Sequence, residues 1–157
     1  MVERRKPIKV NEAITKVMEF AKPGNCYQVP IEDSYGHFLS EDLIADHHVP
    51  PFDRSPYDGF AIRSEDTITA SSSNPIRFEV VGEIGAGSVF EGIVNHMQAV
   101  RIMTGAQVPK DCDAVVMFEV VQEESMEGKS YIQLKRKVHK GDNISFTGED
   151  TEKGIAL

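Results

Sequence analysis

The sequence is short of positive charge, of cysteine and of long apolar runs. Its 157 residues carry 17 Lys and Arg against 25 Asp and Glu, a formal net charge of −8. A duplex nucleic-acid binder needs a phosphate-neutralising face, so that class is disfavoured. The longest uninterrupted apolar run is Ala114–Phe118, far below the roughly 20 residues of a membrane span. No apolar segment follows the charged Met1–Lys6 stretch, so no secretory leader is expected. Cys26 and Cys112 have no metal-ligand spacing. Reduced cytosolic thiols are the simplest reading and a disulfide is the alternative. There is no internal repeat and no low-complexity tract. The expectation is a soluble, cytoplasmic protein with neither membrane nor nucleic acid as partner.

What is present is an ordinary globular composition, 40% hydrophobic and 27% charged. The length fits one domain, or two small ones sharing a core. Val10, Ala13, Ile14, Val17, Met18 and Ala21 recur at three-four spacing, which predicts a helix whose apolar stripe packs in a core. Asn11 is a plausible N-cap and Pro23-Gly24 a stop. Strands are expected at Tyr27–Ile31 and Glu41–Ala45, with a helical turn near Glu32–Gly36 between them. His47-His48-Val49-Pro50-Pro51 breaks regular structure, because neither proline donates to a ladder, and reads as a crossing between subdomains.

The middle of the chain reads as β. Ile76, Phe78 and Val80 alternate; Val100–Met103, Ala114–Val121 and Tyr131–Val138 are further strands. Met126-Glu127-Gly128-Lys129 is a hairpin turn, and Thr67–Pro75 is a polar loop. The class is β-rich α+β. The apolar ending Gly154-Ile155-Ala156-Leu157 reads as the opening of an element cut short.

Chemistry-bearing residues concentrate in three stretches. In the first, Val49–Arg63, three prolines stiffen the loop, Gly59 permits a turn after Asp58, and Asp53 and Asp58 lie five apart. The two carboxylates either hold a hard cation or orient a water, or they cap backbone N–H groups in a turn. In the second, Arg101–Pro109, Thr104 and Gly105 close a strand. They either make a small anion-binding concavity or merely end it. In the third, Gly141–Asp150, Asp150 joins Asp58 as a cation ligand if the fold brings them together; otherwise the segment is a loop.

Gly82–Gly87 does not have the order of a dinucleotide fingerprint and reads as a β bend. Asp46-His47-His48 reads as loop surface, since adjacent extended residues point to opposite faces. Lys135-Arg136-Lys137, with His139-Lys140, is expected to face Glu123, Glu124 and Glu127 across the hairpin, or else to add positive potential for an anionic substrate.

Taken together, these stretches resemble the N-terminal region of the molybdopterin molybdenumtransferase family (MoeA, and the E domain of gephyrin and its plant counterparts). The family pattern stands here as Pro51-Phe52-Asp53-Arg54-Ser55-Pro56-Tyr57-Asp58-Gly59-Phe60-Ala61. It continues as Arg101–Ala106, Asp113–Met117 with Glu119, and Gly141–Asp150. The resemblance runs from about residue 7 to the end of the chain. It implies an α+β fold of bifurcated and coiled β-sheets with one long N-terminal helix. It also implies a discontinuous linker/dimerisation subdomain (1–51 plus 141–157) and a small β domain (52–140).

The implied activity is insertion of molybdate-derived molybdenum into adenylylated molybdopterin, releasing AMP, with Mg²⁺ or a similar divalent cation. The implied assembly is a homodimer whose site lies between one subunit's β domain and the other's α/β domain. Other molybdenum cofactor biosynthesis proteins are further partners. Mapped by motif, Asp58, Thr104 and Asp150 are the implied catalytic residues, with Thr104 contacting the anionic substrate. Asp58 and Asp150 are the metal ligands, and Asp53, Ser55 and Gly105 the substrate-binding residues.

Two departures stand out. Ser145-Phe146-Thr147 occupy positions near which the family often carries Arg. The family's α/β domain would lie beyond residue 157, so the chain alone is expected to be inactive. The rival readings are a non-catalytic dimerisation or scaffolding module, and a hydrolase using Asp53 and Asp58 as an acid/base pair.

Overall fold

The computed structural model describes residues 7–157, so the Met1–Lys6 stretch lies outside the described residues. The chain divides into two compact units between Asp42 and Leu43.

In the first unit, α1 spans Val10–Met18. The helix starts one residue before the expected cap. Lys9 is the N-cap without a side-chain bond, while the Asn11 carbonyl accepts the Thr15 hydroxyl at 3.0 Å. A Glu12–Lys16 ion pair (3.1 Å) lies on its surface. The apolar stripe is not core: no residue of α1 is buried, and Val10 is 74% exposed. So few residues close no hydrophobic core of their own. The strand expected at Tyr27–Ile31 does not form. A single 3₁₀ turn, Ile31–Asp33, follows, and the Tyr27 hydroxyl bonds His37 Nδ1 at 2.9 Å.

The second unit is built on six strands: β1 (Gly59–Ile62), β2 (Ile76–Ile84), β3 (Gln98–Ile102), β4 (Ala114–Met117), β5 (Val121–Met126) and β6 (Lys129–Leu134). Their order is β4-β1-β3-β2-β6-β5. All pairs are antiparallel except β2 and β3. The two edge strands, β4 and β5, are joined only by the 3₁₀ turn Phe118–Val120. Laid flat, they would stand five strand spacings apart, roughly 24 Å. The link from Met117 to Val121 reaches at most about 14 Å. The sheet must therefore curl until its edges approach, giving a barrel-like form.

Side-chain parity follows from that curl. Phe60, Ile62, Phe78, Ala99, Ala114, Val116, Ile132 and Leu134 form one buried cluster drawn from strands around the whole sheet, which marks the concave interior. Ala61, Val100, Ile102 and Val115, at the alternate positions, form a second cluster. That outer face is covered by loop residues Val94, Ala106, Val108 and Cys112. Burying side chains such as Phe60 and Phe78 contributes about 1.5–3 kcal/mol each.

Two glycines serve close approach. A Cβ on Gly59 would meet the Val116 carbonyl oxygen at 2.0 Å, and one on Gly82 would meet the Phe90 ring at 2.6 Å. Gly59 is thus needed for strand contact, not for the left-handed turn expected after Asp58. Gly82 lies just past a bulge between Val80 and Gly82, where β2 slips against β3.

Other boundaries also moved. The expected strand over Ala114–Val121 is broken by the 3₁₀ turn, and that over Tyr131–Val138 ends at Leu134. The strand expected at Glu41–Ala45 is reduced to a bridge between Ile44 and Ala156. The hairpin turn stands as read, with Glu127 and Gly128 both at positive φ (52° and 79°). Lys135–Lys137 lie past the end of β6 and do not face the hairpin acids. Glu123 instead pairs with Arg101 (3.6 Å), and Glu124 accepts the Gln133 amide (2.7 Å). Cys26 is exposed, Cys112 is buried, and both are free.

Candidate functional site

The three motif stretches pack side by side. Arg54 exchanges backbone bonds with Ser145 (3.0 and 2.9 Å). The next residue, Ser55, donates its N–H to the Ala106 carbonyl (3.0 Å) and accepts from the Gly105 N–H (2.8 Å). The Val108 N–H donates to the Asp53 carbonyl at 2.9 Å. The first stretch therefore runs as a middle strand between the second and third. Gly105, at φ 83°, makes the turn that allows this.

Two carboxylates fasten the arrangement in the same way. The Thr104 N–H and Oγ1–H both donate to Asp58 Oδ1 at 2.7 Å. The Thr147 N–H and Oγ1–H both donate to Asp53 Oδ1 at 2.8 Å. Each latch leaves Oδ2 without a protein donor among the described residues. The Thr104 amide, then its hydroxyl, and to a lesser degree the nearby Arg101 guanidinium hold the Asp58 carboxyl below its ordinary range. Asp58 is thus an ionised, exposed carboxylate on a stiff loop with one oxygen to offer.

The implied site residues are placed unequally. Asp58 and Thr104 meet. Because both Thr104 donors point to Asp58, it has none left for an anion, although its oxygen can still accept. The Asp150 N–H donates to the Val49 carbonyl at 2.9 Å. It sits on the ribbon formed by the segments around 43–49 and 151–157, where Ala45 and Leu43 pair with Ile155 and Leu157. It shares no hydrogen bond with Asp58. Ser55 is fully buried, and its hydroxyl donates to the Tyr57 carbonyl at 2.5 Å, so it braces the loop. The Gly105 N–H is likewise spent on the backbone, and Asp53 keeps only Oδ2.

Where the stretches meet they enclose a cleft of about 470 Å³ whose wall includes Phe52, Val108, Lys110, Cys112, Lys140 and Phe146. Burial, with Asp111 and Asp113 close by, pushes the Cys112 thiol up to about 12. The thiol is thereby held protonated at neutral pH.

A third acidic group was not foreseen. Glu65, Asp66 and His96 bring ligand atoms within 4.8 Å of one another. Those atoms already serve each other: His96 Nδ1 bonds Asp66 Oδ1 at 2.7 Å, and the Met97 N–H donates to Asp66 Oδ2 at 2.9 Å. Arg63 Nε donates to Glu65 at 3.0 Å. Asp66 clamps the turn that holds Met97 at φ 57°. Asp46 bonds His47, and the Lys153 N–H donates to His48 at 3.2 Å; both histidines are on the surface, as expected.

A family model described as the MoeA N-terminal region (domain I and II) matches residues 8–157. The chain is similar to the molybdopterin molybdenumtransferase of Bacillus subtilis (strain 168), with 57% identity over 157 residues, covering all of this chain and 36% of that protein. The Staphylococcus epidermidis molybdopterin molybdenumtransferase is 45% identical over 153 residues, covering 98% of this chain and 36% of its own. The crystal structure of the molybdopterin biosynthesis moeA protein from Pyrococcus horikoshii OT3 superposes with a TM-score of 0.77 at 41% identity. That match covers 82% of this chain and 33% of that one. The chain spans about a third of the length of the curated relatives it matches.

Proposed function

We propose, from the premise that this chain belongs to the molybdopterin molybdenumtransferase (MoeA) family and corresponds to its N-terminal region, that it supplies one wall of a molybdenum-insertion site. The reaction is transfer of molybdate-derived molybdenum into the dithiolene of adenylylated molybdopterin, with release of AMP. The observation that carries this reading is the Asp58–Thr104 latch. It fixes a carboxylate in its charged form and leaves Oδ2 to accept a proton donor or a hydrated cation from the substrate side.

A divalent cation such as Mg²⁺ takes about six oxygen ligands, and when bound it would offset the charge of the oxyanion substrates. Asp58 fits as one ligand. Asp150, exposed on the ribbon that pairs with residues 43–49, is the second ligand in this reading. The nitrogen-bearing Glu65–Asp66–His96 group suits a hard cation poorly.

The rest of the proposal is coarser. The molecule is a cytoplasmic homodimer, working with other cofactor-biosynthesis proteins and inactive as this chain alone. No helix among the described residues is long and apolar enough to cross a membrane. From residue 43 on, the discontinuous subdomain (1–51 with 141–157, beside a β domain of 52–140) is supported by the bridges Ile44–Ala156 and Val49–Thr151. The exposed stripe of α1 supports self-association, and it is also what favours the scaffolding reading. Asp53 and Asp58 are latched to different threonines and share no bond, which argues against a hydrolase using them as a pair.

The test is a chimera in which this chain replaces the matching N-terminal portion of the Bacillus subtilis protein. Cells depending on it are assayed for molybdenum-enzyme activity. Asp58→Ala should abolish activity at unchanged protein level; full activity would favour scaffolding.

A further inference from the structure

The basic run Lys135-Arg136-Lys137, with Lys140, is taken up neither by the hairpin acids nor by the Asp58 latch. All four side chains are exposed. Among the described residues none of them has an acid within ion-pairing distance. The backbone that carries them is nonetheless pinned. Val138 is buried in the interior cluster, and its N–H donates to the buried Thr67 hydroxyl at 2.9 Å. The Gly141 N–H donates to the Asp113 carbonyl at 2.7 Å. A backbone already held in place lowers the ordering cost of binding there. In a chain of net charge −8, this run is a local reversal of sign.

The run leads into the cleft of about 470 Å³ between the motif stretches, where Lys140 shares the wall with Lys110 of the second stretch. Lys110 is likewise exposed and unpaired among the described residues. The apolar part of that wall is Phe52, Val108, Ile144 and Phe146, and the Phe146 side is open to solvent, with that residue 48% exposed. Two carboxylates also line the cleft. Asp113 accepts the Ser64 N–H and hydroxyl (2.7 and 3.0 Å), and Asp53 gives one oxygen to Thr147.

Within the cleft the two lysines are thus matched by two acids, and the excess positive charge lies on the run outside. A small anion seated in the cleft gains little from this arrangement. An extended chain with an apolar side chain in the cleft and carboxylates along the run is matched at both ends. From Lys135 to Lys140 the backbone spans at most about 18 Å, the length of an extended segment of about six residues. A nucleic acid fits less well, because the run has no aromatic residue on which a base could stack.

We propose that this strip is a docking surface for an acidic protein segment. An aromatic or large aliphatic side chain of the segment enters the cleft against Phe52 and Phe146, while its neighbouring carboxylates lie along Lys140, Lys137, Arg136 and Lys135. The surface is independent of the role given to Asp58.

The experiment is fluorescence anisotropy on the 157-residue chain with labelled hexapeptides: phenylalanine followed by glutamates, glycine followed by glutamates, and phenylalanine followed by lysines. The first is expected to bind, and raising the salt from about 50 to about 300 mM is expected to weaken it. Lys137→Glu combined with Lys140→Glu, both at exposed positions, is expected to weaken it about tenfold. Phe146→Ser is expected to weaken it about fivefold. The glycine probe is expected to bind less tightly than the phenylalanine probe, which tests the anchor if Phe146→Ser does not fold. Absence of binding, a lysine probe bound as well as the glutamate probe, or a double charge reversal without effect overturns the proposal. So does a glycine probe bound as tightly as the phenylalanine probe, since the strip is then a plain anion site. A thymidine oligonucleotide of similar length bound more tightly than the peptide overturns it as well.

Discussion

Gly59→Ala is the sharpest perturbation of the frame that holds Asp58. The new Cβ would lie 2.0 Å from the Val116 carbonyl oxygen and 3.0 Å from the Met117 Cα, whereas real Cβ contacts essentially never fall under 3.0 Å. The shortfall of 1.0 Å against the oxygen cannot be relieved by a rotamer, since the obstacle is backbone. β1 must move off β4, straining a ladder that runs from Gly59↔Met117 to Ile62↔Ala114. Overpacking of this kind costs about 3 kcal/mol, which lowers the melting temperature by about 10 °C in a chain of this size. Gly85→Ala is the control. Nothing lies within 4 Å of its Cβ, and a change within about 0.5 kcal/mol is expected. Both are measured by calorimetry and by urea denaturation. If Gly59→Ala melted with the control, the close approach of β1 to β4 would be refuted.

Other outcomes follow from buried groups. The Thr67 hydroxyl, fully buried, donates to the Ser64 carbonyl (2.7 Å) and accepts from the Val138 N–H (2.9 Å). Thr67→Val strands both, so urea denaturation should show a loss of about 2 kcal/mol, largely restored in Thr67→Ser; an unchanged midpoint would contradict the bonding. In the native chain iodoacetamide should alkylate Cys26 and spare Cys112, whose thiol at about 12 stays protonated at neutral pH. Equal rates would show that the outer cluster opens readily. Thr104→Val should raise the Asp58 titration midpoint. The carboxylate's contribution to stability is complete above the ordinary carboxylate range and fades as pH falls through its lowered midpoint, so the variant should lose it at higher pH.

Alternation at Ile76, Phe78 and Val80 was legible because one side chain in two enters the interior. β1 was not legible as a strand: Gly59–Ile62 is buried at every position, and a short apolar run has no period to read. Tyr27–Ile31 and Glu41–Ala45 have strand-like composition, but strands need partners, and among these residues only the short stretch Leu43–Ala45 finds one, around the Ile44–Ala156 bridge. The motif residues Asp58 and Thr104 were visible in the sequence, and their contact required loop packing across 46 positions. The second latch, Asp53 to Thr147, crosses 94 positions.

The most direct measurement of the central claim is AMP release from adenylylated molybdopterin and molybdate by the chimera carrying Asp58→Asn. That change keeps an acceptor for both Thr104 donors and removes only the charge. If an ionised carboxylate at this latch takes part in insertion, release should fall about 100-fold or more. Release within a few-fold of the parent chimera would show that the latch serves structure alone.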